Sequence, residues 1–231
     1  MAPAPGAGIY SGPALTRVVG VKTTMIFMPG SPALVPDLAP ADPAGPGLLA
    51  QLRQEIEGAV ADAGSTVVIV GSHGEQMRTG DRGSFRAWGA PQVNVGRGNH
   101  LPELLARFAL GPYADRVCGF VPTLASISDG ADSPAVVIAV VDGSTGLSER
   151  APSALLPGAA EVDTWCRDLL AGKRVGSRSA EDLKVAGIRE PALWVEAQRL
   201  QPQVTAARLV AADVSLGVGR YVAVWQLGEG Q

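Results

Sequence analysis

Three short apolar runs, each closing on glycine, constrain this chain more than any other feature. Thr24–Met28 ends at Pro29-Gly30, Thr66–Val70 (TVVIV) runs into Gly71-Ser72-His73-Gly74, and Ala135–Val141 (AVVIAVV) stops at Asp142-Gly143-Ser144. Runs without polar alternation suit strands covered on both faces, which parallel sheets provide. Parallel neighbours need a crossover, usually a helix. Gly47–Ala63 supplies the first one, with Leu48, Leu49, Leu52, Ile56 and Val60 at helical spacing. The stretch before it, PGSPALVPDLAPADPAGPG, is too proline-dense to be helical inside. Strand, loop, helix and strand make a βαβ unit. The predicted class is therefore α/β, one domain with a mostly parallel central sheet flanked by helices.

The rest of the chain is read in the same way. Leu101–Leu110, Ala159–Ala171, Ala180–Ala186 and Ala192–Leu200 carry helical patterns. Ala206–Val214 and Tyr221–Gln226 read as two closing strands joined at Gly217-Val218-Gly219. Glu75–Asn99, rich in Gly and Arg, reads as a long surface excursion. Residues 1–24 open with Ala, Pro and Gly and are expected to be a flexible tail, with the domain over residues 25–231. Met1 and Met25 both stand as candidate start residues.

Composition narrows the partners. Of 231 residues 46% are hydrophobic and 18% charged, enough for a substantial core, and the formal net charge of −3 lacks the basic footprint of a nucleic-acid binder. No Lys/Arg cluster suits an anionic membrane, no 18-residue apolar run suits a span, and the first 24 residues lack the apolar stretch of a signal peptide. The expectation is a cytoplasmic protein that binds neither nucleic acid nor membrane. Cys118 and Cys166, the only cysteines, form neither a disulfide framework nor a CxxC zinc pair and read as buried thiols.

In open α/β sheets, ligands bind beyond the carboxyl ends of the strands. Gly30–Pro32, Ser72–Glu75 and Asp142–Glu149 are thus expected to border one cleft for a small molecule, with Gly30, Ser31, Ser72, Asp142 and Ser144 on its rim. Ser72 sits one position early for a nucleophile elbow. Asp142-Gly143-Ser144 suits turn chemistry better than a cation site. Arg78, Arg82, Arg86 and Arg97 could meet an anionic ligand or simply face water.

With these loops in view, MPGSPALVPDL, VVIVGSHG, VVDGSTGLSERAPSALLPGAAEVDTW and VSLGVGRYVAVWQ, in this order from Met25 onward, resemble the catalytic (B) subunit of class III extradiol ring-cleavage dioxygenases, and in particular its actinobacterial branch. The resemblance implies an aromatic ring-opening oxidoreductase with non-haem Fe(II), held by two histidines and a carboxylate with positions left for catechol and O2. It also implies a homodimer or a partner subunit. By resemblance, the first histidine would follow the first strand in an H-x-P context, where this chain has Gly30-Ser31-Pro32. The second closes the second strand, where His73 stands as the candidate metal ligand. The acid/base histidine corresponds to Glu149 in Gly146-Leu147-Ser148-Glu149, the candidate catalytic residue, beside Arg150. Glu149, Glu161 and Glu190 are candidates for the iron carboxylate by position alone.

His73 and His100 are the only histidines, so a two-histidine site has to use both. His100 precedes a predicted helix and also reads as a surface residue; His73 could serve the cleft or bond the loop backbone. With glycine at the first ligand position, the favoured reading is a non-catalytic binding or scaffold protein with a degenerate site and no cofactor. The alternative is a divergent Fe(II)-dependent, extradiol-type oxidoreductase that uses His73.

Overall fold

The computed structural model describes residues 23–61, 65–127 and 135–228. In chain order, β1 (Thr23–Pro29) leads through a proline-rich loop to α1 (Gly45–Ala59), then β2 (Val67–Val70). A small hairpin follows, β3 (Ser84–Phe85) and β4 (Ala90–Asn94), then α2 (Leu101–Leu110), β5 (Val117–Val121) and β6 (Val136–Val141). The second half carries α3 (Ala159–Leu170), α4 (Ala180–Val185), α5 (Ala192–Leu200), β7 (Val204–Asp213) and β8 (Arg220–Leu227).

Six strands form one sheet in the order β5-β2-β6-β1-β8-β7. β5, β2, β6 and β1 run parallel; β8 pairs with β1 antiparallel, and β7 pairs with β8 antiparallel at the far edge. The fold is thus mixed α/β with a mostly parallel six-stranded sheet and helices. β6 lies between β2 and β1 and is buried at all six positions, which accounts for its unbroken VVIAVV run. Along β1 the side chains alternate: Ile26 and Met28 pack with α1 and α2, whereas Met25 and Phe27 pack with α3 and α5. Two apolar layers therefore sandwich the sheet.

The predicted helices and main strands occur within a few residues of their expected bounds; α2 occupies Leu101–Leu110 as read. Three expectations need correction. Most of the expected tail, residues 1–22, lies outside the described residues, but Thr23 and Thr24 belong to β1. Thr24 pairs with Val136 on one side and Gln226 on the other, so two neighbouring strands supply its ladder partners. The excursion after β2 contains the β3–β4 hairpin and an isolated bridge between Arg78 and His100. Cys118 is exposed on β5, because that strand forms the edge of the sheet; Cys166 is buried on α3.

A buried cluster pins the loop after β1 to the distal hairpin. Arg220, 1% exposed, pairs with Asp42 on that loop and with Asp213 at the end of β7 (2.5 Å). Asp42 also accepts the Ala44 N–H at 3.2 Å just before α1. The Arg220 guanidinium holds the Asp42 carboxyl below its ordinary value. Among the described residues, no helix is long and apolar enough to cross a membrane.

Candidate functional site

β1 and β6 are parallel neighbours, yet β1 leads to α1 on one face and β6 leads to α3 on the other. Connections that diverge from adjacent strands open a crevice at the carboxyl edge. A cavity of about 380 Å³ occupies that position, within the range of small-molecule sites. Met77, Trp88, Leu101, Pro102, Val140 and Val218 give it apolar walls; Ser31, Ser72, Gln76, Asp142, Arg189 and Glu190 supply its polar groups.

Asp142, at the end of β6, is fixed from several sides. Its Oδ1 accepts the Gly30 N–H at 3.0 Å, and its backbone carbonyl accepts the Trp194 Nε1–H at 2.8 Å. A β-carbon on Gly30 would stand 3.1 Å from Asp142 Oδ2 and 3.4 Å from Val140 Cγ1. The carboxyl group therefore lies against the space that a side chain at position 30 would enter. Burial pushes Asp142 up from 3.8 to about 6, against the opposing pull of the Gly30 and Ser31 N–H groups and of Arg189 and Arg220.

The loop after Asp142 is locked to the β7–β8 turn. Gly143 N–H bonds Gly219 O at 2.8 Å, and Gly219 N–H bonds Ser144 O at 2.9 Å. A β-carbon on Gly143 would meet the Tyr221 hydroxyl at 2.5 Å, so only glycine allows this approach. On the far wall, Gln76 Nε2 donates to Glu190 Oε1 at 2.9 Å, joining the loop after β2 to the α4–α5 connection.

Of the predicted rim, Gly30, Ser31, Ser72 and Asp142 line the cleft. Ser31 Oγ accepts the Ala33 N–H, and Ser72 Oγ accepts the Gly74 N–H at 3.1 Å. Ser144 does not reach the rim: it is fully buried, donating to Ala186 O at 2.5 Å and accepting from Gly146 N at 3.1 Å. Glu149 is exposed and outside the lining, because its loop turns out towards water there. Among the carboxylate candidates Glu190 lines the cleft, whereas Glu161, on α3, pairs with Arg178.

His73 is also outside the cleft lining. Its ring lies 4.1 Å from that of Phe120 and 5.2 Å from that of His100, the two imidazoles stacked at 24°. Partial desolvation lowers the His73 pKa first and His100 lowers it further, while Glu103 opposes them. Fe(II) of the expected type needs two imidazole nitrogens and a carboxylate converging on one point. Neither His73 nor His100 belongs to the cleft lining that holds Asp142 and Glu190. Among the described residues, no three His, Cys, Asp or Glu side chains group to hold a metal ion. The donors among the described residues do not fit that iron site.

Sequence reasoning missed Gln76, Trp88 and Arg189, whereas Thr145 falls within the expected Asp142–Glu149 border. Arg78, Arg82, Arg86 and Arg97 are all exposed and off the lining; the cleft arginine is Arg189. A legible signal did exist. Ser179 and Asp182 form a capping box on the short α4, and Gly187, at φ +94°, turns the chain back towards the cleft. Compared with protein-family models and with curated proteins, the sequence matches none.

Proposed function

We propose that this chain is a non-catalytic small-molecule-binding protein on a class III extradiol dioxygenase-like fold, its cleft kept and its iron chemistry lost. The observation that carries this reading is the pairing of Gly30 with Asp142: the resemblance puts an iron-binding imidazole at position 30, and here a carboxyl group lies against the space such a ring would enter. The placement of His73 against His100 and Phe120, away from the cleft lining, supports the same reading. Free Cys118 and Cys166 suit a reducing compartment, and the protein is taken as cytoplasmic.

The test is anaerobic loading with Fe(II), followed by desalting, elemental analysis and oxygen uptake with catechol, for the wild type and His73→Ala. Expected are sub-stoichiometric metal in both proteins and no oxygen consumption. About one iron per chain, lost in His73→Ala, would restore the metal-dependent oxidoreductase reading.

A further inference from the structure

We infer that the cleft takes a small organic ammonium with an apolar body, its nitrogen seated against the Asp142 carboxylate. This rests on the cleft being a binding site and adds the chemical class of what it binds. Asp142 is held by the neutral Gly30 and Ser31 N–H groups and forms no ion pair among the described residues. Arg220 is taken by Asp42 and Asp213, and Arg189 acts on Asp142 only through space. An ionised carboxyl group has about four acceptor sites, so this one keeps acceptor capacity for a donor entering the cavity. Asp142 is half-buried, and a carboxylate partly withdrawn from water without a counter-ion carries a cost that an ammonium offsets by supplying both the charge and the hydrogens.

The remaining lining agrees. Asp142 and Glu190 stand against a single guanidinium, Arg189, which is exposed. A ligand carrying one positive charge neutralises that excess, whereas an anion meets Asp142 with like charge. Met77, Trp88, Leu101, Pro102 and Val140 offer apolar surface to the ligand body, and the Trp88 indole favours a cationic or aromatic group.

Calorimetry on the full chain at pH 7.5 with three matched indoles tests this: tryptamine, the neutral tryptophol and indole-3-propanoate. Tryptamine is expected to bind at least about tenfold more tightly than either analogue, and Asp142→Asn to remove at least about tenfold of that affinity. The groups facing Asp142 are Arg189, Arg220 and Glu190. With Asp142 titrating near 6, tryptamine affinity falls about tenfold from pH 7 to pH 5 in the wild type. That titration carries the test should Asp142→Asn fail to fold. Equal binding of tryptophol or the propanoate overturns the ammonium assignment and leaves a ligand cleft standing. Absence of tryptamine binding at millimolar concentration overturns it too. Iron loading with oxygen uptake is a separate result, which removes the binding-protein reading itself.

Discussion

Position 30 shows what a single residue can and cannot disclose. That glycine supplies no metal ligand was legible from Gly30-Ser31-Pro32 alone. That Asp142 stands behind it was not, since 112 residues separate the two and only the β1–β6 register makes them neighbours. Gly30 has no positive φ, so the backbone tolerates a side chain there and the objection is contact alone. Gly30→Ala would place its β-carbon 3.1 Å from Asp142 Oδ2, and the neighbours have to give. The expected cost is about 1 kcal/mol by denaturant titration, with weaker cleft binding. An unchanged stability and affinity would mean that Asp142 moves freely, against the hydrogen bond that fixes it. Ser144 carries the opposite lesson. Its hydroxyl belongs to a turn that closes inward on Ala186, and a local motif does not say which way a turn faces.

Elements were legible where the pattern was long. α2 has buried residues on most of its surface and a proline in its first turn, and its bounds followed directly. β5 was missed because Val117-Cys118-Gly119-Phe120-Val121 is short, half-buried and interrupted by glycine, as an edge strand can be. The β3–β4 hairpin was missed because two residues of β3 give no periodicity to read. What the element patterns could not show is that α5 braces the site. Trp194, fully buried on α5, donates its indole N–H to the Asp142 carbonyl at 2.8 Å. Trp194→Phe removes that bond and leaves a small void beside Tyr221, whose ring centroid lies 5.7 Å away. A loss of about 2 kcal/mol is expected in urea unfolding, together with weaker ligand binding than that loss alone explains. Unimpaired binding in the folded variant would show that the end of β6 holds its shape without α5.

The position of the cleft was legible at the scale of the whole molecule, because three strands that end in glycine loops mark the carboxyl edge of a parallel sheet. Its charge balance was not, because burial decides it. Asp142, with a value near 6 when folded against an ordinary 3.8, is ionised at pH 7 in both states, but the folded state holds that charge at a cost. Allowing for partial solvent screening, the cost is about 1–3 kcal/mol. As pH falls through 6 towards 4, the folded protein takes up a proton that the unfolded chain does not, so this group adds stability on acidification. Asp42 works in the opposite sense. Its folded value is depressed by Arg220, so its contribution is present above about pH 4 and is lost as pH falls through the folded value. His73, lowered in the fold, also costs stability below about pH 6.5. The wild-type curve therefore mixes signs, and the informative quantity is the difference from Asp142→Asn, in which the other groups largely cancel. Asparagine keeps an acceptor for the Gly30 N–H and removes the charge. Asp142→Asn should thus be the more stable protein at pH 7 by about 1–3 kcal/mol, with the gap closing through pH 6 and absent near pH 4. Urea unfolding at several pH values measures it. A gap that stays flat would mean that Arg189 and Arg220 hold Asp142 ionised throughout, and a half-buried charge without cost would leave the cleft no energetic reason to favour a cation.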